Sequence, residues 1–283
     1  MPHARRDNVE IYYETMGEAS GVPLVLLEGT GAQLIGWREE FCRMLVAQGF
    51  HVIRMDNRDV GLSQKFGGPE DIDGGYELSD MAEDVTRVLD DLGLASAHIA
   101  GRSMGGMMAQ MLAIEHPERV RSLALLYSTP GKDRRWVLHG ELPALQAVQP
   151  RISREEAIEF AALIERPTAP GPYAWDEAWT REAAATAYDR CYAPDGVPRQ
   201  WAALMRAPER LERLRAVTAP TVLLHGREDP VLSWRASADM AEVIVGAELH
   251  VYPGMGHGLP RELWPEMVQA ITRTALRGEK PLV

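Results

Sequence analysis

Three short stretches hold side chains whose types and order could make a nucleophile. Gly101-Arg102-Ser103-Met104-Gly105 follows the apolar run His98-Ile99-Ala100 and leads into a helix-forming sequence. A Gly-x-Ser-x-Gly turn between strand and helix lifts a serine hydroxyl to the top of a sheet in a strained backbone conformation. Glycine is needed on both sides because strand and helix leave no room for Cβ atoms. A glycine-rich turn of this kind can equally cradle a phosphate or serve close packing alone. Serine at neutral pH is a weak nucleophile, so Ser103 needs a general base and a third group to orient that base. His257, in Pro253-Gly254-Met255-Gly256-His257-Gly258, and Asp229, in His225-Gly226-Arg227-Glu228-Asp229-Pro230, are of the right types. The order Ser103, Asp229, His257 is the one that accompanies such an elbow. Taken singly, a histidine among glycines and an aspartate before proline are ordinary turn residues; it is the three loops together that argue for a triad. Glu228 is a second candidate for the acid, and His225 and His98 are expected in the core.

Acyl transfer also needs backbone donors for the developing oxyanion. Met104, directly after the nucleophile, offers one N–H. The loop Glu28-Gly29-Thr30-Gly31 offers another, expected to be that of Thr30, with glycines that permit a tight turn. The loop has no Gly-Lys-Ser/Thr ending, which argues against a nucleotide-phosphate site.

The elements that must position these residues are legible from periodicity. Residues 9–15 alternate like a strand, and residues 22–27 form a continuous apolar run, as expected of a strand buried on both faces. A helix over 37–48, a strand over 51–55, a helix over 78–92, the elbow strand and a strand over 121–127 follow, giving a βαβ series. Asp56-Asn57-Arg58-Asp59-Val60-Gly61-Leu62-Ser63 is dense in turn formers and reads as a loop. Methionines 104, 107, 108 and 111 form a stripe on the helix after Ser103, as core filler or as pocket lining. From about residue 129 to 208 the alternation stops, and helical pieces over 154–164, 175–192 and 200–205 are separated by Pro- and Gly-rich stretches. Eight of the nineteen aromatic residues fall in this insertion, enough to pack it onto the core and to line an apolar pocket. The rhythm resumes with strands over 221–224 and 248–252 and helices over 234–245 and 262–276. The tail from Arg277 onward is expected to fray. Asp229 and His257 both follow strands, at the sheet edge where ligands bind in open α/β folds.

Composition narrows the partners. The 283 residues carry a formal net charge of −11, which disfavours nucleic acid and anionic membranes. No run of 18 apolar residues and no signal peptide is readable, so a cytoplasmic protein is expected, for which homo-oligomerisation is left open. Cys42 and Cys191 sit in no disulfide or metal-ligand spacing. They are expected to be buried small hydrophobes, and no metal site is expected.

Beyond these motifs, Gly36-Trp37 with Glu40-Phe41, Val52-Ile53-Arg54 leading into Asp56 to Ser63, the elbow, and Pro253 to His257 give the chain its resemblance to the α/β-hydrolase family. In look it is similar to bacterial hydrolases of the aclacinomycin-methylesterase type, which cleave methyl esters on aromatic polyketides. The resemblance implies an α/β fold with an eight-stranded, mostly parallel sheet. It also implies a core of residues 1–128 and 209–283, a helical cap of residues 129–208 inserted after strand six, a small-molecule substrate, and no cofactor. Ester hydrolysis at Ser103 is then the expected activity, and a lyase or cyclase on the same scaffold is the alternative. Two positions depart from the family pattern: Glu28, where histidine or an apolar residue is usual, and Arg102, where a small or aromatic residue is usual. Both lie just past the ends of neighbouring strands, so an ion pair bracing the oxyanion loop against the elbow is expected. Exposure of both to solvent, or a proton-transfer role for Glu28, are the alternatives.

Overall fold

A computed structural model of the chain describes residues 2–138, 151–173 and 175–279. Its centre is an eight-stranded sheet in the order β1-β2-β4-β3-β5-β6-β7-β8. The strands are β1 (His3–Arg6), β2 (Val9–Met16), β3 (Val22–Leu27), β4 (Phe50–Met55), β5 (Ala97–Arg102), β6 (Val120–Leu126), β7 (Thr221–Gly226) and β8 (Glu248–Tyr252). β1 and β2 pair antiparallel, as do β2 and β4; every other neighbouring pair is parallel.

The apolar runs are continuous because both faces of the sheet are covered. In β3, Val25 and Leu27 join one core cluster while Leu24 and Leu26 join the other. The first cluster is roofed by α2 (Leu78–Asp91), α3 (Met104–Glu115) and α7 (Arg235–Val243). The second is roofed by α1 (Glu39–Val46) and α8 (Trp264–Gly278). Met104, Met108 and Met111 are core filler, whereas Met107 faces a cavity. Cys42 is buried, and burial pushes its thiol up to about 12. Cys191 is only half-buried and borders the same cavity as Met107, so the expectation of a fully buried residue fails there.

Between β6 and β7 the chain leaves the sheet. The described part of this segment holds α4 (Arg154–Glu165), α5 (Glu177–Cys191) and α6 (Gly196–Arg206). α4 starts on a capping box, with the Ser153 hydroxyl accepting from the Glu156 amide and the Glu156 carboxylate accepting from the Ser153 amide. α6 starts four residues before its predicted beginning, since Pro198 lies in the first turn, where a helix has no use for the missing N–H. The first strand escapes the periodicity reading because it is short and charged; its hairpin turn, Asp7-Asn8, has φ of 54° and 62°, the double left-handed turn that suits a two-residue hairpin. The start of the tail is held rather than frayed. Arg277 Nη1 lies 2.9 Å from Glu248 and Glu279 lies 2.8 Å from His98 Nε2; residues 280–283 lie outside the described ones. Among the described residues no helix is long and apolar enough to cross a membrane.

Candidate active site

Ser103 occupies a position that only a tight strand-to-helix turn creates. Its φ is 53° and ψ −120°, a left-handed backbone that costs a non-glycine residue energy and persists only where the surroundings impose it. They do. A Cβ on Gly101 would lie 2.2 Å from the Gly105 carbonyl oxygen, and one on Gly105 would lie 2.3 Å from that of Leu27. The Ser103 amide donates to the Leu126 carbonyl at 3.0 Å, and Ser128 Oγ donates to the Ser103 carbonyl at 2.8 Å. The Ser103 side chain is left facing a cavity.

Asp229 and His257 meet across the ends of β7 and β8. His257 Nδ1 lies 2.7 Å from Asp229 Oδ2. Asp229 Oδ1 accepts from the amides of Val231 and Leu232 at 2.8 and 2.9 Å. The loops can approach so closely because Gly226 carries no Cβ; one there would sit 2.2 Å from the Met255 carbonyl oxygen. His225, expected in the core and found buried, also borders the acid: its Nε2 is 3.0 Å from the Leu232 carbonyl oxygen and 3.3 Å from Asp229 Oδ2, while Nδ1 pairs with Ser237 Oγ at 2.7 Å. Glu228 turns away, its carboxylate accepting from the Gly254 amide. His257 and Ser103 border the same cavity. Among the described residues no hydrogen bond joins their side chains, and such bonds often tighten only when substrate is bound.

Burial opposes ionisation of Asp229, but the charge of His257 and the hydrogen bonds from His225 and His257 outweigh it and hold the carboxyl well below the usual carboxylate range. Because the folded pKa lies below the unfolded value of about 3.9, this group contributes stability that is fully present above that value and lost progressively as pH falls from it toward the folded pKa. Asp229→Asn is therefore expected to flatten the acid limb of stability, measured as unfolding free energy in urea between pH 7 and pH 3. A variant with the wild-type slope would contradict this.

The loop after β3 lies against the elbow. A Cβ on Gly29 would be 3.4 Å from Ser103 Cβ, and Thr30 Oγ1 is 3.6 Å from the Met104 sulfur. The amides of Thr30 and Met104 donate to no protein acceptor among the described residues. Leu27 pairs with Gly101 across β3 and β5, which places Glu28 beside Arg102. Arg102 Nε lies 2.7 Å from Glu28 Oε2, which also accepts from the Gly29 amide at 3.1 Å. Glu28 is fully buried and its Oε1 has no partner. Burial raises the Glu28 carboxyl above its ordinary value, and the Arg102 charge only partly offsets this. The guanidinium centre stands 5.4 Å from the ring centroid of Trp37. A Cβ at Gly36 would meet Arg102 Nη2 at 2.4 Å and Glu28 Oε1 at 2.7 Å, so the pair would have to shift to admit one.

Over these residues lies a cavity of about 880 Å³, within the range of small-molecule sites. Of the eight aromatic residues in the 129–208 segment, seven line it: Phe160, Tyr173, Trp175, Trp179, Tyr188, Tyr192 and Trp201. Trp136 instead anchors the segment, its Nε1 donating to Asp239 at 2.7 Å. The loop from Asp56 to Ser63 does more than turn. Asp56 accepts from the Leu34 amide at 2.7 Å and from Arg190 on α5 at 3.1 Å, and Asp59 accepts from Arg199 on α6 at 2.9 Å and from Tyr76 at 2.7 Å. These buried pairs fasten the inserted helices to the sheet. The loop carrying His257 is fastened too, since the His257 amide donates to the Thr168 carbonyl at 2.7 Å. Among the described residues no group of three or more His, Cys, Asp or Glu side chains is arranged to hold a metal ion.

Comparison with known proteins agrees with this geometry. RutD of Variovorax paradoxus (strain S110), by its name a candidate carbamate hydrolase, is 30% identical over 87% of this chain and 89% of its own. Rhodomycin D methylesterase DauP of Streptomyces sp. (strain C5) is 25% identical over 94% of this chain and 95% of its own. The crystal structure of a hydrolase from Pseudomonas aeruginosa PA01 superposes with a TM-score of 0.72 at 25% identity, covering 97% of this chain and 96% of that one. The sequence model of the alpha/beta hydrolase fold matches residues 22–260. With that span of the sequence matched and the eight-stranded sheet in place, the chain belongs to the α/β-hydrolase family and is a hydrolase.

Proposed function

We propose that this hydrolase cleaves a carboxylic ester of a bulky apolar or aromatic compound, such as a methyl ester on a polyketide-type skeleton, through an acyl-enzyme on Ser103. The observation that carries this reading is the convergence on one cavity of a serine at φ 53° and a histidine paired at 2.7 Å with a buried aspartate. In the first half-reaction Ser103 Oγ attacks the ester carbonyl carbon while His257 Nε2 takes the hydroxyl proton. The carbonyl oxygen becomes an oxyanion against the amides of Thr30 and Met104. Collapse breaks the bond to the alcohol oxygen, which leaves with the proton from His257. In the second, water attacks the acyl carbon as His257 takes its proton, and the acid departs as that proton returns to Ser103. Asp229 fixes the tautomer and offsets the charge that His257 gains. The packing of Gly29 against Ser103 and of the Thr30 hydroxyl against the Met104 sulfur, and the methylesterase among the relatives, both support this assignment.

Residues 129–208 serve as a cap that selects by size. The seven aromatic rings bordering the cavity favour large apolar acyl groups over acetate, since a few buried methylenes already separate substrates by about 10-fold or more. A panel of p-nitrophenyl and methyl esters, with Ser103→Ala as control, tests both claims. Higher kcat/KM for aromatic and long acyl groups is expected, with a matching change in Trp fluorescence. Equal kcat/KM for acetate and bulky aromatic esters would contradict a size-selecting cap, and turnover unaffected by Ser103→Ala would contradict the mechanism.

A further inference from the structure

The turn that carries Thr30 is held from outside the sheet. Gly29, Thr30, Gly31 and Ala32 form a tight turn, closed by the Ala32 amide donating to the Gly29 carbonyl at 3.3 Å, with Gly31 at φ 71° in its third position. A third residue at positive φ marks the turn type in which the central peptide is flipped relative to the commoner form, and the two forms interconvert by rotation of that one peptide. Here the central peptide is Thr30–Gly31. Its N–H donates to Gln200 Oε1 at 2.8 Å, and Gln200 Nε2 donates to the Arg58 carbonyl at 2.8 Å, so the carboxamide is fixed at both ends. Gln200 is fully buried on α6. Val197, on the preceding turn of that helix, approaches within 3.0 Å of where a Gly31 Cβ would stand. The next part of the loop is held in the same way, with Gln33 Nε2 donating to the carbonyls of Ala187 and Cys191 on α5 at 2.8 and 2.9 Å. Val197, Trp201 and Leu204 of α6 also border the cavity.

We infer that Gln200 is the positioning residue of the oxyanion turn, anchoring its Gly31 end to α6 so that the whole turn, with the Thr30 amide at its second position, keeps its place beside Ser103. The inference rests on the acyl-enzyme reading above. Oxyanion stabilisation depends on donors being fixed before charge develops. A turn free to shift away from Ser103 therefore loses rate and not substrate affinity. A residue that merely fills space between α6 and the sheet would lower stability and leave the chemical step unchanged.

Full-length wild type, Gln200→Leu and Gln200→Asn are to be compared in three measurements: kcat and KM on p-nitrophenyl acetate, the rate of Ser103 phosphonylation by a p-nitrophenyl alkylphosphonate, and thermal unfolding. The acetate ester is chosen because its acyl group is too short to need the α6 side chains. Gln200→Asn keeps the amide but is one methylene too short to reach both partners, and it decides the question if Gln200→Leu does not fold. The expected result in a folded variant is a fall in kcat of about 10- to 100-fold with KM within about 3-fold of wild type. Phosphonylation, which builds charge on an oxygen in the same place, should slow by a similar factor. Wild-type kcat and labelling rate in a folded variant, or a change in KM alone, would overturn the inference. A wild type that turns over ester without labelling at Ser103 would overturn the serine reading itself, and the role of Gln200 with it.

Discussion

Replacing Ser103 by alanine is expected to lower kcat by about 10⁴- to 10⁶-fold, and His257→Ala by a similar factor, because the members of a triad act as one unit. The double variant should then be little worse than either single one. Asp229→Asn should cost about 10⁴-fold, since an amide facing Nδ1 at 2.7 Å favours the wrong tautomer of His257. The fold should survive all three changes: Ser103 and His257 face the cavity, and an asparagine side-chain oxygen can still accept from the Val231 and Leu232 amides that Asp229 caps. Steady-state kinetics on one ester, with circular dichroism as the folding control, checks the set. Near-wild-type rates in Asp229→Asn would place the orienting acid elsewhere.

The second large effect is on stability. Arg102→Met strands the Glu28 carboxylate, fully buried and with one oxygen already unpartnered. Removing one member of a buried pair costs about 3–5 kcal/mol through the uncompensated charge. Glu28→Gln should cost less, because it keeps an acceptor for Arg102 Nε and the Arg102 side chain retains 18% exposure to the cavity. In the double variant Glu28→Gln with Arg102→Met, much of the loss should be recovered, giving a clear coupling energy in a urea-unfolding cycle. Additive losses would sink the idea that the pair braces the oxyanion loop against the elbow. A large rate loss in Glu28→Gln with unchanged stability would instead make Glu28 a proton-transfer group, in keeping with lyase or cyclase chemistry.

The candidate site residues were legible because each sits in a glycine-flanked loop after an apolar strand, and a parallel sheet delivers all such loops to one edge. Ser103, Asp229 and His257 could be placed together on that basis, and so could Glu28 and Arg102. What escaped is long-range polar pairing. Asp59 and Arg199 are separated by 140 residues, and Gly31 and Gln200 by 169; no local spacing marks one as the partner of the other. A loop of Asp, Asn and Arg therefore reads as a solvated turn, although Asp56, Asn57, Arg58 and Asp59 are all buried. The contact of His225 with Asp229 escaped for a related reason. Two residues four apart meet only because the chain doubles back after β7, a bend that sequence spacing does not specify. Trp136 lies away from the seven cavity-lining aromatics with its indole N–H on Asp239, a placement that composition cannot reveal.

Ester cleavage by this mechanism requires a covalent bond to Ser103. Rapid-quench mass spectrometry of the wild-type chain mixed with a p-nitrophenyl ester of an aromatic acid is its most direct test. The expected result is a transient mass increase equal to the acyl group, located on the peptide containing Ser103 and decaying at the turnover rate. It should be absent in Ser103→Ala and prolonged in a variant slowed in deacylation. Full turnover of the ester with no adduct at any quench time, together with activity retained in Ser103→Ala, would contradict the account.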